Sequence, residues 1–134
     1  MELSRAEIDA FLDGRHTLVL ATLRRDGSVH LSTLWYRWDG EAFWMSTNRD
    51  RPKYRNIERD PRVSVLVDDP PRQTSVSVSG RIETVAMDDA APDGALAIVS
   101  RYVDDPVAYL AKRASESRVL LRLTPERMTS WKPG

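Results

Sequence analysis

The stretch Met45-Ser46-Thr47-Asn48-Arg49-Asp50-Arg51-Pro52-Lys53-Tyr54-Arg55-Asn56-Ile57 forms the junction around which the rest of the chain is organised. Alternating apolar residues from Glu41 to Thr47 predict a strand that ends here. Pro52 suits the first turn of a helix, because the N–H that proline lacks would have no partner there. Asn48 or Asp50 can cap this helix. The stretch therefore predicts a strand end followed at once by a helix N-terminus.

Hydroxyl groups and cations crowd the same junction, namely Ser46, Thr47, Arg49, Arg51, Lys53 and Arg55. A helix N-terminus presents free N–H groups and a partial positive charge, so cations beside it make a good phosphate site. A basic polar helix is also typical of a solvated surface. On the residues alone, both interpretations stay open.

Length and composition limit the remaining possibilities. The 134 residues are enough for one core, so we expect a single domain over 1–134. The formal net charge is zero, and we expect neither nucleic acid nor membrane as a partner. With no cysteine, the chain has no disulfide, thiol nucleophile or zinc–thiolate site. No run resembles a signal peptide or membrane span, which predicts a cytoplasmic protein.

The N-terminal half predicts one helix and three strands. Ser4 and Glu7 form a capping box at the start of the helix. Tight turns at Asp26-Gly27 and Asp39-Gly40 would join the strands into an antiparallel meander. The predicted strands are His16 to Leu23, Val29 to Trp38 and Ala42 to Thr47.

The C-terminal half predicts the other strands and two further helices. Gly80 interrupts a long strand and suggests the bulge or bend that a barrel corner needs. Here the predicted strands are Arg62 to Val67, Thr74 to Val85 and Ser117 to Leu123, with Met128 to Trp131 as an extension, and the predicted helices are Met87 to Tyr102 and Pro106 to Lys112. Asp68 to Pro71 reads as a rigid polar loop. The fold class is therefore α+β, with about six strands in a barrel-like sheet and peripheral helices.

Few residues suggest chemistry of their own. His16 and His30 lie in different predicted strands, which makes a weak case for a metal site, and we expect none. The chain has no Gly-x-Ser-x-Gly elbow, Gly-x-Gly-x-x-Gly turn or Walker loop. A phosphate site without a reactive triad favours a cofactor that carries the chemistry itself. In Trp35-Tyr36-Arg37-Trp38, alternation would place one aromatic pair in the barrel, while the other could wall a flat ring or a dimer contact.

An ordered set of short motifs covers most of the chain: Leu20-Ala21-Thr22-Leu23, Asp26-Gly27, His30 to Trp35, Trp38-Asp39-Gly40, Met45-Ser46-Thr47, Lys53 to Ile57, Asp60-Pro61-Arg62-Val63, Val65 to Asp69, Val78 to Glu83, Leu123 to Arg127 and Trp131. No single motif is specific, but their order is. The sequence resembles the pyridoxamine 5′-phosphate oxidase-like flavin- and deazaflavin-binding split barrels. Within them it is most similar to short actinobacterial reductases that depend on the deazaflavin coenzyme F420.

The resemblance implies a mainly β, six-stranded antiparallel Greek-key split barrel, assembled as a homodimer with two cofactor sites at its interface. It implies that coenzyme F420, or alternatively FMN, binds residues of this chain and of its partner. The implied cofactor-binding residues are His30, Ser32, Thr33, Leu34, Trp35, Ser46, Thr47, Arg51, Lys53, Arg55, Gln73 and Trp131. Pro52 departs from the family pattern by removing one N–H donor beside the phosphate.

Three functions follow from the resemblance. The first is hydride transfer between a bound deazaflavin and a small organic acceptor, with Arg49, Arg55 and Arg59 lining the exit of its acidic tail. The second is an FMN-dependent oxidase or reductase, including oxidation of pyridoxamine phosphate. The third is a non-catalytic protein that binds a flavin or another planar ligand. No residue stands out as an acid or base, and the sequence does not name the acceptor.

Overall fold

The computed structural model describes residues 1–87 and 94–134. These residues contain one antiparallel sheet of seven strands and four α-helices. In chain order the elements are α1 (Arg5–Leu12), β1 (Leu18–Leu23), β2 (Val29–Leu34), β3 (Arg37–Trp38), β4 (Phe43–Asn48), α2 (Pro52–Arg59), β5 (Arg62–Asp69), β6 (Thr74–Ala86), α3 (Gly94–Val99), α4 (Pro106–Ala111) and β7 (Arg118–Trp131). A 3₁₀ turn at Pro70–Arg72 joins β5 to β6.

The sheet curls until its two edges approach each other. Its strand order is β2-β1-β5-β6-β7-β4-β3, so β2 and β3 form the edges. Leu34 ends one edge strand and Arg37 begins the other, and three residues of chain span at most about 10 Å. Beyond the short β3, the edges of β2 and β4 face each other without pairing. The result is the predicted split barrel.

A bulge in the two longest strands produces much of this curvature. The register of β6 and β7 shifts between Ser79 and Gly80, so Glu126 has no partner in the ladder. β6 pairs with β5 from Thr74 to Arg81, and the part of β7 that pairs with β4, Arg118 to Leu123, lies on the other side of the bulge. A Cβ atom on Gly80 would lie 2.7 Å from the main-chain oxygen of Thr124. Glycine is therefore needed at this corner, as the sequence predicted.

The predicted second strand, Val29 to Trp38, is wrong in one respect, because it breaks after Leu34. Tyr36 enters the core with none of its surface exposed, and its hydroxyl donates a hydrogen bond to the Leu12 carbonyl at 2.7 Å. The chain then resumes as β3, which pairs with β4 and not with β1. This break adds a seventh strand, and it replaces the predicted three-stranded meander with two separate hairpins.

Helices α1 and α2 close the barrel against water. The capping box of Ser4 and Glu7 starts α1, and its Ile8 and Leu12 join the core. From α2, Ile57 enters the same core. The neighbouring Asn56 amide donates to the Thr22 hydroxyl at 3.1 Å. Helix α2 is therefore fixed on β1 by packing and by a buried hydrogen bond.

Helices α3 and α4 lie on the other face of the sheet. The buried Ile98 and Val99 of α3, together with Leu120 of β7, are not members of the barrel core. Arg101, which follows α3, attaches this layer to the rest of the chain, because its guanidinium donates to the main-chain oxygens of Asp13, Gly14 and Tyr36. The sheet thus carries a small second apolar layer beside β4.

Three smaller predictions need correction. Neither Asn48 nor Asp50 caps α2, because the N-cap position is Arg51 and carries no side-chain cap. The predicted loop at Asp68 to Pro71 starts too early, since Asp68 and Asp69 still belong to β5. The predicted helix Met87 to Tyr102 corresponds to α3 alone, and its residues 88–93 lie outside the described part.

The sequence predicted that no segment spans a membrane, and the helices of the structure can be compared with this prediction. Among residues 1–87 and 94–134, no helix combines the length and the apolar character that crossing a bilayer requires. The cytoplasmic location stays a prediction.

The corner at Gly80 gives a stability prediction. Gly80→Ala should lower the free energy of unfolding by about 1–3 kcal/mol, because the new methyl group must displace the main chain at Thr124. Urea unfolding measures this loss. Ser77→Ala on the exposed face of the same strand is the matched control and should change stability little. Equal stability of the two variants would contradict the role given to Gly80.

Candidate functional site

A pocket of about 230 Å³ lies where the edges of the sheet separate. One side comes from the end of β2, and the other comes from Ser46 of β4 and Arg118 of β7. Helices α3 and α4 cover it. The lining residues are Thr17, Thr33, Leu34, Trp35, Ser46, Ala95, Ile98, Val99, Tyr109, Leu110 and Arg118. Four predicted site residues, Thr33, Leu34, Trp35 and Ser46, therefore meet in one pocket.

Aromatic rings form one wall of this pocket. Trp35 stacks on Tyr102 with ring centroids 5.0 Å apart and an interplanar angle of 4°, and Tyr109 lies 5.3 Å from Trp35. The Tyr102 hydroxyl is fixed by donating to the His16 carbonyl at 2.6 Å. The alternation predicted for Trp35 to Trp38 is confirmed, because Tyr36 and Trp38 enter the core while Trp35 faces the pocket. Such a wall suits a flat ligand.

Cations gather at the end of β4. The Arg118 guanidinium donates to the Ser46 hydroxyl at 3.2 Å and pairs with Glu116 at 2.7 Å. The pKa of Lys53 is lowered by burial and by the nearby charges of Arg51 and Arg118. Of the described carboxylates, none forms a salt bridge with Arg51 or Lys53. This arrangement leaves positive charge uncompensated, as an anion site requires.

Sequence reasoning missed Arg118. Its side chain reaches the site because Arg118 pairs with Asn48 in the sheet, two residues from Ser46. The pairing joins positions seventy residues apart, and no local pattern reveals it. A basic residue at the start of the last predicted strand was the only available signal, and it required knowledge of the sheet order.

The free edge of β2 adds main-chain hydrogen-bonding groups. Within the described chain, β2 pairs only with β1, so half of its N–H and C=O groups point into the split. His30 and Ser32 lie on the inner face of β2, and the His30 Nδ1 and Ser32 Oγ atoms are buried with no hydrogen-bond partner among the described residues. Unused buried polar atoms are uncommon in folded proteins. Neither His30 nor Ser32 lines the split pocket itself.

The other hydroxyl and basic residues near the end of β4 and on α2 lie in different environments. Thr47 is only 3% exposed and faces the core, so its hydroxyl lies on the opposite side of β4 from Ser46. Arg55 is exposed on α2. Arg49 donates to the Ser117 hydroxyl and the Arg118 carbonyl, and Arg59 donates to the Leu23 carbonyl. The side chains of Arg49 and Arg59 thus each connect two separate parts of the chain.

Gln73 and Trp131 lie away from this pocket. Gln73 follows the 3₁₀ turn in a left-handed conformation with φ of 52°, and Trp131 is 56% exposed at the far end of β7 from Arg118. They are close to each other, since Trp131 pairs with Ser75. The structure does not bring these two residues to the other predicted site residues of the same chain.

A larger groove of about 330 Å³ lies on the outer face of the sheet, where Ala21, Ser64 and Ser79 line its floor. Its two arginines are already paired, Arg62 with Asp60 and Arg81 with Glu126. The groove is larger, but its charges are compensated and its floor lacks aromatic rings. The split pocket is therefore the better candidate for a cofactor.

The chain belongs to the pyridoxamine 5′-phosphate oxidase-like family, because a family model described as pyridoxamine 5′-phosphate oxidase matches residues 4–132. A conserved hypothetical protein from Mycobacterium tuberculosis is 33% identical, with a TM-score of 0.83 over 97% of this chain and 85% of that one. An F420 reductase is 31% identical, with a TM-score of 0.72 over 90% of this chain and 94% of that one.

More distant structures share the fold. General Stress Protein 26 from Bacillus anthracis is 19% identical, with a TM-score of 0.74 over 97% of this chain and 95% of that one. At this identity the similarity establishes the split-barrel architecture alone. The predicted family and fold class are thus confirmed, whereas the roles of individual residues stay predictions.

The geometry around Arg118 predicts two pKa changes of the same sign. In Arg118→Gln, the pKa of Glu116 should rise because its hydrogen-bond partner and nearest cation are lost. The pKa of Lys53 should also rise because a neighbouring positive charge is removed. NMR titration of the carboxyl and ammonium signals measures both. Arg122→Gln changes an arginine on the same strand that pairs with Glu83 of β6, and it should leave both pKa values unchanged. Unchanged pKa values in Arg118→Gln would contradict the proposed contacts of Arg118 with Glu116 and Lys53.

Proposed function

We propose that this protein is an oxidoreductase that transfers hydride between a bound deazaflavin and a small organic acceptor. The observation that carries the proposal is the uncompensated positive charge of Arg51 and Lys53 beside an aromatic pocket in the open edge of the barrel. One end of such a site suits a phosphate, and the other suits a flat ring. The 31% identity to an F420 reductase supports the same choice of cofactor.

In this proposal, side chains rather than main-chain amides hold the phosphate. Lys53, Arg51 and Arg118 supply the charge, and Ser46 supplies a hydroxyl. Pro52 has no N–H, and α2 begins at this proline, so fewer free amide donors are available than at an ordinary helix N-terminus. Charge-assisted contacts from the three cations offset that loss.

The rest of the chain positions and shields the reacting ring. The free edge of β2 offers hydrogen bonds to its polar side, and Trp35, Tyr109 and Leu110 exclude water from its faces. Among the described residues that line the split pocket there is no carboxylate and no imidazole. A bound reduced deazaflavin would supply the hydride, and the protein supplies orientation, a dry pocket and donors such as Arg118 for developing negative charge.

The cofactor site of this proposal is completed by a second copy of the chain. The outer face of β2, β1 and β5 carries exposed apolar side chains, with Leu31 63% exposed and Val29 and Leu66 also exposed. Exposed apolar patches of this kind mark contact surfaces. A two-fold dimer through such a face could carry Gln73 and Trp131 of each chain toward the pocket of the other, which would explain their distance from their own pocket.

Lys53→Ala tests the phosphate site. Loss of one charge-assisted contact of roughly 1.5–3 kcal/mol should weaken deazaflavin binding about tenfold to a hundredfold. The melting temperature should change little, because a partly exposed lysine contributes little to folding. Fluorescence titration measures the affinity and a thermal melt measures the stability. Unchanged affinity in a folded variant would contradict the assignment of Lys53 to the phosphate site.

The control for this experiment is Arg25→Ala. Arg25 lies in the β1–β2 turn, and the paired strands, about 16 Å long, separate it from the pocket residues Thr17 and Leu34. Arg59 would be a poor control, since it holds the Leu23 carbonyl. The same titration with FMN decides the cofactor: tighter binding of FMN than of deazaflavin would favour the flavin-dependent alternative.

The dimer is tested by charge insertion. Light scattering of the wild-type protein at micromolar concentration should give twice the mass of the chain, and Leu31→Asp should reduce it to that of a monomer. Val107→Asp makes the same chemical change at a residue that is 67% exposed on α4 and should leave the dimer intact. A monomeric wild-type protein with cofactor present would contradict the proposal.

A further inference from the structure

A second hollow adjoins the split pocket on the side of α4. It measures about 390 Å³ and is lined by Arg49, Met87, Ala95, Leu110, Arg113, Ala114, Glu116, Ser117 and Arg118. Ala95, Leu110 and Arg118 also line the split pocket, so the two spaces share walls. The first space is apolar and aromatic, whereas the second is bordered by three guanidinium groups. A ligand that fills both would need an apolar part and an acidic part.

Among the described residues that line this hollow, arginines outnumber carboxylates. Glu116 is its one carboxylate among the described lining residues, and Arg118 already pairs with it at 2.7 Å. The hydrogen bond from Arg118, together with the charges of Arg118 and Arg113, holds the pKa of Glu116 below its ordinary value. Arg113 forms no salt bridge within residues 1–87 and 94–134. Arg49 forms none within these residues either. Arg49 and Arg113 are both half-buried, and both lack a carboxylate partner in the described chain.

The contacts that hold Arg113 in place among the described residues engage only part of its guanidinium. Its guanidinium carbon lies 3.6 Å from the centroid of the Tyr109 ring, and its Nη1 donates to the Tyr109 carbonyl at 3.0 Å. Tyr109 in turn contacts Trp35 in the wall of the split pocket. A guanidinium that stacks by its face keeps N–H groups at its edge, and these match the two oxygens of a carboxylate.

We propose that this hollow, which we call the Arg113 subsite, binds the carboxylate of a ligand whose planar part occupies the split pocket. The assignment of the planar part to the acceptor or to the cofactor rests on the proposed function, but the subsite itself does not. Two sources of the carboxylate share this chemistry: an acidic group on the acceptor, and the acidic tail of the deazaflavin. In either case Arg113 acts as a binding and specificity residue.

The test uses naphthoate and naphthamide, which share a planar body and differ in the acidic group. Quenching of tryptophan fluorescence reports their binding, because Trp35 lines the pocket. Naphthoate should bind the wild-type protein at least tenfold more tightly than naphthamide. Arg113→Gln should remove this difference, and Lys112→Gln, which removes the same charge from the exposed neighbouring residue, should preserve it.

A second arm identifies the source of the carboxylate. Deazaflavin with its acidic tail and deazaflavin with the tail trimmed are titrated against the wild-type protein and Arg113→Gln. Weaker binding of the tailed form alone in the variant supports the subsite and assigns it to the tail. Unchanged binding of both forms, with naphthoate still affected, supports the subsite and assigns it to the acceptor.

The inference is overturned if Arg113→Gln changes neither the preference for naphthoate over naphthamide nor the affinity for tailed deazaflavin. The naphthoate measurements use no coenzyme, so the two proposals fail separately. Failure of deazaflavin to bind with the naphthoate preference intact would refute the proposed function alone. Loss of the naphthoate preference with tight deazaflavin binding would refute the subsite as an acceptor site.

Discussion

The rest of the structure depends on the burial of Tyr36. Its hydroxyl donates to the Leu12 carbonyl of α1, its main-chain N–H donates to the Tyr102 hydroxyl, and its carbonyl accepts from Arg101. These contacts draw the chain inward after Leu34, which ends β2 and leaves its edge without a second neighbour. They also turn Trp35, the preceding residue, toward the pocket. One buried side chain thus creates both the split in the barrel and the aromatic wall beside it.

The second constraint is electrostatic. The chain carries equal numbers of acidic and basic residues, yet the end of β4 collects cations that have few carboxylate partners among the described residues. Burial already disfavours the charge on Lys53, and neighbouring arginines disfavour it further. Folding alone gains little from such an arrangement, since like charges repel. A bound anion would turn this repulsion between cations into net attraction. The cluster is therefore a stronger indication of an anion site than an exposed basic helix would be.

Much of the fold could be predicted from local patterns. The capping box at Ser4, the turn at Gly27 and the bulge at Gly80 each follow from a physical rule that acts within a few residues. The break at Tyr36 could not be predicted in this way, because alternation continues through it, and only the distant Leu12 and Arg101 explain why the chain bends.

For the candidate site, too, some residues could be predicted from local sequence and others depend on distant contacts. The aromatic side chain of Trp35 and the cations near Pro52 were visible in the sequence. Arg118 was not, because its place beside Ser46 depends on the pairing of the first and second halves of the chain. Thr47 was assigned to the phosphate by resemblance, but strand alternation buries its hydroxyl on the other face of β4. The local sequence therefore suggested what kind of site to expect, whereas the long-range strand pairing determines which residues line the candidate site.

The four tryptophans allow the most direct test of the central claim, that the cofactor lies in the split of the barrel. Trp35 lines the pocket, whereas the indole N–H groups of Trp38 and Trp44 donate to Asp9 and Asp39 elsewhere. In an NMR titration with deazaflavin, we expect the Trp35 indole signal to shift strongly while those of Trp38 and Trp44 stay in place. Saturable binding that leaves the Trp35 signal unchanged would contradict this account.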